Sequence, residues 1–118
     1  MSYTYLASPY THAEPAMREV RYHAAMKCCA WLLKNRVWVY SPIVYCHELA
    51  RLHDMPTNAH FWMDYNYAML RGAKDLLILV LPGWQDSVGI DNEVEYAHAA
   101  NKPIRFIHPS SYTVTDEP

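Results

Sequence analysis

Leu76-Leu77-Ile78-Leu79-Val80-Leu81, opened by Asp75 and followed by Pro82-Gly83, is the longest strongly apolar run of the chain, and it does not alternate. A strand with one face in water alternates apolar and polar side chains; one that is apolar at every position is buried on both faces, as in the centre of a parallel sheet. Such a sheet needs helices above and below, so the flanking segments should be helical. Upstream, Thr57 is the expected N-cap of a helix running to about Arg71, with Gly72 as its stop. Downstream, a helix is expected from about Ser87 to Ala100 and a strand over Pro103 to Ile107. Nearer the N-terminus, Tyr3 to Ala7 is β-prone and is halted by Ser8-Pro9; Val37 to Tyr40 repeats this pattern before Ser41-Pro42. Between them, Met17, Val20, Ala24, Cys28, Trp31 and Leu32 recur at helical spacing over Pro15 to Asn35. Ile43 to Asp54 reads either as a short helix or as an irregular excursion. The order βαβαβαβ implies right-handed crossovers and parallel pairing. The expectation is a three-layer α/β, flavodoxin-like doubly wound parallel sheet of four to five strands, with helices on both faces, formed by residues 1–118 as one domain.

Composition narrows the function. The chain is 52% hydrophobic and 14% aromatic with 19% charged residues, which describes a globular domain and not a disordered one. Its formal net charge of -2 provides no overall basic field for a nucleic acid polymer or an anionic membrane, so a small ligand is expected. The apolar run is too short to span a bilayer, and the stretch MSYTYLASPY lacks a charged region followed by an apolar one, so a cytoplasmic protein is expected. Cys28, Cys29 and Cys46 form neither a secreted disulfide framework nor a CxxC pair, and are read as reduced, mostly buried thiols.

Ligands of open parallel sheets bind beyond the carboxyl ends of the strands, where strand order reverses. With strand one between strands two and three, the segments meeting there are Ser8-Pro9-Tyr10 and the loop Pro82 to Ser87. That loop enters a helix N-terminus, whose free N–H groups and dipole favour an anion. Ser87 and Gly89 suit such a role; an ordinary N-cap serine and loop glycine fit equally well. At about 100° per residue, Glu93 lies about 40° from Ala97 in the stripe Ile90, Val94, Ala97 and Asn101, whereas Asp91 and Glu95 fall about 120° and 160° from it. Glu93 is therefore the inward acid of this helix, and an inward carboxylate at the sheet's carboxyl edge is a candidate for chemistry. The alternative is a rim acid that complements the helix dipole. Asp64 is placed at the polar edge of a helix whose apolar side is read as Phe61, Trp62, Tyr65, Ala68 and Met69.

Other chemistries find no motif. His47-Glu48 begins like HExxH, but position 51 is arginine, and His53 and His60 do not share a helical face, so no metal is expected. His12 and His47 are read as solvent-exposed imidazoles. With three glycines and no phosphate-cradling loop, no cofactor is expected.

Taken together, Tyr5-Leu6-Ala7-Ser8-Pro9, Trp62-x-Asp64, Ala73-Lys74-Asp75-Leu76 and Ser87-x-Gly89-x-x-x-Glu93-x-x-x-Ala97, followed by Lys102-Pro103, resemble the nucleoside 2-deoxyribosyltransferase superfamily over nearly the whole chain. The resemblance extends to its deoxynucleoside 5'-monophosphate N-glycosidases and is strongest to its small uncharacterised bacterial and phage members. It implies that Glu93 is a nucleophile, that Asp64 is its proton donor or orienting acid, and that Tyr5 positions nucleophile and sugar. It further implies that Ser87 and Gly89 hold a 5'-phosphate with Ser8 as an added donor, and that the protein is a homo-oligomer. The chain departs from the family pattern in carrying Glu93-Val94-Glu95 where Glu-Leu-Gly is usual, and in its tail from Ser110 to Pro118. The expected reaction is cleavage of a nucleoside or nucleotide N-glycosidic bond through a glycosyl-Glu93 intermediate, resolved by water or by a second base. Two other functions fit the same residues: a non-catalytic nucleotide-binding sensor or regulatory module, and a partner-binding domain built on the Tyr and Trp content.

Overall fold

A computed structural model describes residues 2–118. The elements are β1 (Thr4–Ala7), α1 (Pro15–Lys34), β2 (Val39–Tyr40), α2 (Pro42–Leu52), α3 (Ala59–Gly72), β3 (Asp75–Leu79), a short 3-10 turn (Trp84–Asp86), α4 (Val88–Ala99), β4 (Ile104–Ile107) and β5 (Val114–Thr115). The strands form one sheet in the order β2-β1-β3-β4-β5. The first four are parallel, with Tyr5 beside Leu76 and Leu77 beside Arg105; β5 closes the edge antiparallel to β4. The doubly wound α/β expectation holds, and β1 lies between β2 and β3.

The unbroken apolar run is explained by two cores. Leu76 and Ile78 of β3, with Tyr5 and Ala7 of β1, pack on Leu70 of α3 and on Ile90 and Ala97 of α4. Leu77 and Leu79, with Leu6, point the other way onto Cys28, Cys29 and Leu32 of α1. Each strand residue faces one layer or the other, so alternation is lost in the sequence although it persists in space. Leu77 is 3% exposed, so Leu77→Ala is expected to destabilise the protein by roughly 2–5 kcal/mol, measured as a lowered urea midpoint at unchanged slope.

Several boundaries differ from expectation. Of Ile43 to Asp54, the stretch to Leu52 is helical: α2 is capped by Ser41, whose Oγ accepts from Val44 N at 3.1 Å, and Pro42 fits its first turn. Asn58, not Thr57, caps α3, its Oδ1 accepting from Phe61 N at 2.9 Å. Two helices therefore separate β2 from β3. The third strand ends at Leu79, and the chain then turns through Gly83, whose φ of +87° is in the left-handed region that glycine tolerates. β5 lies in a polar tail too short for periodicity to mark. Cys28, Cys29 and Cys46 are buried free thiols. Among the described residues, no helix is long and apolar enough to cross a membrane.

Candidate active site

The carboxyl ends of the two central strands lead into the site. β1 runs into Ser8-Pro9-Tyr10, while β3 passes through the Gly83 turn to Ser87, the N-cap of α4. Ser87 Oγ accepts from Ile90 N at 3.2 Å, which satisfies one of the donors a helix start leaves open. Between these segments opens a cavity of about 390 Å³, walled on its other sides by Pro42 and Ile43 of α2 and by Trp62 and Asn66 of α3. Ser8, Ser87, Gly89 and Glu93 line it together, as the topology of an open parallel sheet leads one to expect.

Glu93 lies on the inward face of α4 and is 5% exposed. Tyr5, fully buried on β1, donates its hydroxyl proton to the Glu93 carboxylate. Burial pushes the Glu93 carboxyl up to about 7, and the Tyr5 hydrogen bond partly offsets that rise. Burial, and then the carboxylate it faces, hold the Tyr5 hydroxyl well above its ordinary range, so Tyr5 remains the donor of the pair. The result is a carboxylate that exchanges between neutral and charged forms near neutral pH, at the wall of a cavity.

Residues 2–108, which include every one of these side chains, match the model of a family described only as a domain of unknown function. The chain belongs to the DUF1937 family. No curated protein matches it.

In this DUF1937 chain the other residues singled out from the sequence fall into two groups. Pro9 is fully buried and does not line the cavity. Asp64 does not join the site. Trp62 and Asn66, four residues apart on α3, face the cavity, and Asp64 between them is about 200° of helical rotation from each and is exposed. Phe61 and Ala68, read as part of the inward side, are exposed as well. The inward face of α3 runs instead through Trp62, Asn66, Met69 and Leu70.

The DUF1937 site also contains groups that no local pattern marks. Ser8 Oγ and Asn66 Oδ1 are buried at the cavity wall without a hydrogen-bond partner among the described residues, a costly state that a bound polar molecule would relieve. His47 is a correction: it is 5% exposed, with Tyr10 Oη on its Nδ1 and Glu19 Oε1 on its Nε2. Among the described residues, Glu19, His47 and Glu48 bring potential metal-ligand atoms within 4.8 Å of one another. Arg51 grips both Glu48 oxygens, at 2.7 and 3.0 Å, so each of these groups already has a partner within the chain.

Proposed function

We propose that this protein cleaves the N-glycosidic bond of a nucleoside or nucleoside 5'-monophosphate through a covalent glycosyl-Glu93 intermediate, resolved by water or by a second base. The observation that carries this reading is the Glu93 carboxylate: buried, held by the Tyr5 hydroxyl, balanced near neutral, and opening on a cavity. A carboxylate at that balance is ionised often enough to attack an anomeric carbon and is a good enough leaving group to be displaced again. Likeness to the nucleoside 2-deoxyribosyltransferase superfamily supplies the chemistry, with Glu93 as nucleophile and Tyr5 as its positioning residue. Tyr10, Ile43 and Trp62 offer the apolar and aromatic wall that a base requires, and Ser8 and Asn66 offer unpaired polar atoms for its edge or for the sugar. Exposed apolar side chains on α2 and α3, among them Tyr45, Leu52 and Phe61, support the homo-oligomer that the same likeness implies.

Within this class the charge of the cavity favours an uncharged nucleoside over a monophosphate. The N-terminus of α4 contributes about half a positive charge. Asp86, beside it in the lining, carries a full negative one, and Glu93 adds a second whenever it ionises. Incubation with ribo- and deoxyribonucleosides and their 5'-monophosphates, with and without a second free base, tests the reading, with Glu93→Ala as control. Base release or exchange that the control lacks is expected, and faster with the nucleosides. Absence of turnover by the wild-type protein, with ligand binding intact in both, would instead indicate a nucleotide-binding module.

A further inference from the structure

Tyr10, His47 and Glu19 form a hydrogen-bonded chain from the cavity to the outside of the molecule. Tyr10 Oη lies 2.7 Å from His47 Nδ1, and His47 Nε2 lies 2.8 Å from Glu19 Oε1. Tyr10 lines the cavity that holds Glu93, and it also lines, with His47 and Glu19, a separate outer groove of about 230 Å³. The imidazole between them is fixed by its surroundings. Tyr22 of α1 stacks on it with ring centroids 4.1 Å apart and planes at 19°, and Tyr10 meets it edge-on at 5.5 Å. A buried imidazole with a carboxylate on one nitrogen and a hydroxyl on the other transmits protons, because the acid selects the tautomer and stabilises the imidazolium. Tyr5 is fully buried and Asp64 is turned away from the cavity, whereas Tyr10 lines the cavity and is joined by hydrogen bonds to an outer carboxylate.

We propose that Tyr10, backed by His47 and Glu19, is the proton-transfer residue of this site. The inference rests on the glycosidic reading above. In the first step the bond from the anomeric carbon to the base nitrogen breaks and a bond to a Glu93 oxygen forms. The Tyr10 hydroxyl proton goes to the departing base, and the relay in its protonated form, with a proton on each His47 nitrogen, returns the Nδ1 proton to the Tyr10 oxygen. In the second step a water oxygen bonds to the anomeric carbon and the ester bond to Glu93 breaks, regenerating its carboxylate. The water proton goes to Tyr10 while the Tyr10 proton passes to His47 Nδ1, which restores the imidazolium. His47 thus leaves each cycle in the charge state in which it entered. The charged groups around its ring are Glu19, which His23 also approaches at 3.6 Å, and Glu48, 3.8 Å from Nε2 and paired with Arg51.

The test is single-turnover base release from two substrates: an ordinary purine nucleoside, and a nucleoside whose base is 7-methylguanine, already cationic and able to depart without a proton. Tyr10→Phe keeps the ring and its packing. It is expected to slow release from the ordinary nucleoside by roughly 10²- to 10⁴-fold and to leave the 7-methylguanine substrate within about threefold of wild type. Glu19→Gln, at a half-exposed position, is expected to show the same selectivity with a smaller loss and to lower kcat more than it raises KM. Equal slowing of both substrates would make Tyr10 a structural residue and overturn the relay, as would no slowing of either. Glu93→Gln is expected to stop release from both. An active wild type whose Tyr10→Phe variant slows both substrates equally, or neither, would overturn the relay alone; a wild type that releases neither base would overturn the glycosidic reading and the relay with it.

Discussion

Replacing Glu93 with glutamine is expected to lower kcat for base release by roughly four orders of magnitude or more, the scale of loss when a nucleophile is removed from a covalent mechanism. Glutamine preserves the side-chain volume at a position that is 5% exposed, and its amide oxygen still accepts the Tyr5 hydroxyl, so the cavity should persist with ligand binding retained. The same geometry predicts the pH dependence. Glu93 must be ionised to attack, and its carboxyl is pushed up to about 7, so the acid limb of kcat/KM should rise with pH through that value. The Tyr5 hydrogen bond opposes the rise, since it favours the charged form. Tyr5→Phe should therefore move the acid limb to higher pH and reduce activity most below neutrality. A limb in the ordinary carboxylate range, or one that stays in place in Tyr5→Phe, would show that Glu93 is not the ionisation controlling the rate.

Stability should carry the signature of the same group. The Glu93 carboxyl titrates at about 7 in the folded protein against an ordinary value of 4.5, so between these values the folded state holds a proton that the unfolded state has lost. This contribution is complete below the lower value and is lost as pH rises through the upper one. At 1.36 kcal/mol per unit, the loss is about 3 kcal/mol across that window. Urea denaturation of the wild type from pH 5 to pH 8.5 should show stability falling as the solution becomes more alkaline, and Glu93→Gln should flatten the curve. Glu48, whose carboxyl Arg51 holds below its ordinary range, acts in the opposite direction, but it stands largely in solvent and is common to both proteins. Parallel pH curves for the two proteins would show that Glu93 is not ionised at the cost its burial implies.

Both results depend on one residue whose orientation is legible in the linear chain. Glu93 shares a helix with Ile90 and Ala97, and helical period alone separates it from Asp91 and Glu95. The same reasoning misplaces the face of α3. Phe61, Trp62, Met63, Tyr65, Tyr67, Ala68 and Met69 cover most of that helix's circumference, so no single apolar stripe marks its inward side. Trp62 and Asn66 face the cavity, and Asp64, the acid that the family likeness proposes as Glu93's partner, is turned to solvent. His47 fails for another reason: its burial depends on Tyr22 and Glu19 from α1 and on Tyr10 after β1, segments that carry no signal of one another.

What the chain determines alone is whatever burial imprints on one continuous segment. Apolar side chains at every position from Leu76 to Leu79 require a layer on each face, and Ser8-Pro9, Ser41-Pro42 and Gly72 punctuate the elements that supply those layers, so the three-layer architecture and the edge that holds the site follow from composition and period. Only the tertiary structure decides which polar groups meet. The Tyr5–Glu93 and Tyr10–His47–Glu19 hydrogen bonds join residues on different elements, and a hydrogen bond of a few ångströms depends on helix rotation and packing distance that hydrophobic patterning leaves open. Patterning reports how much of a face is removed from water; where a proton can pass is set by distances that exist only once the layers have closed.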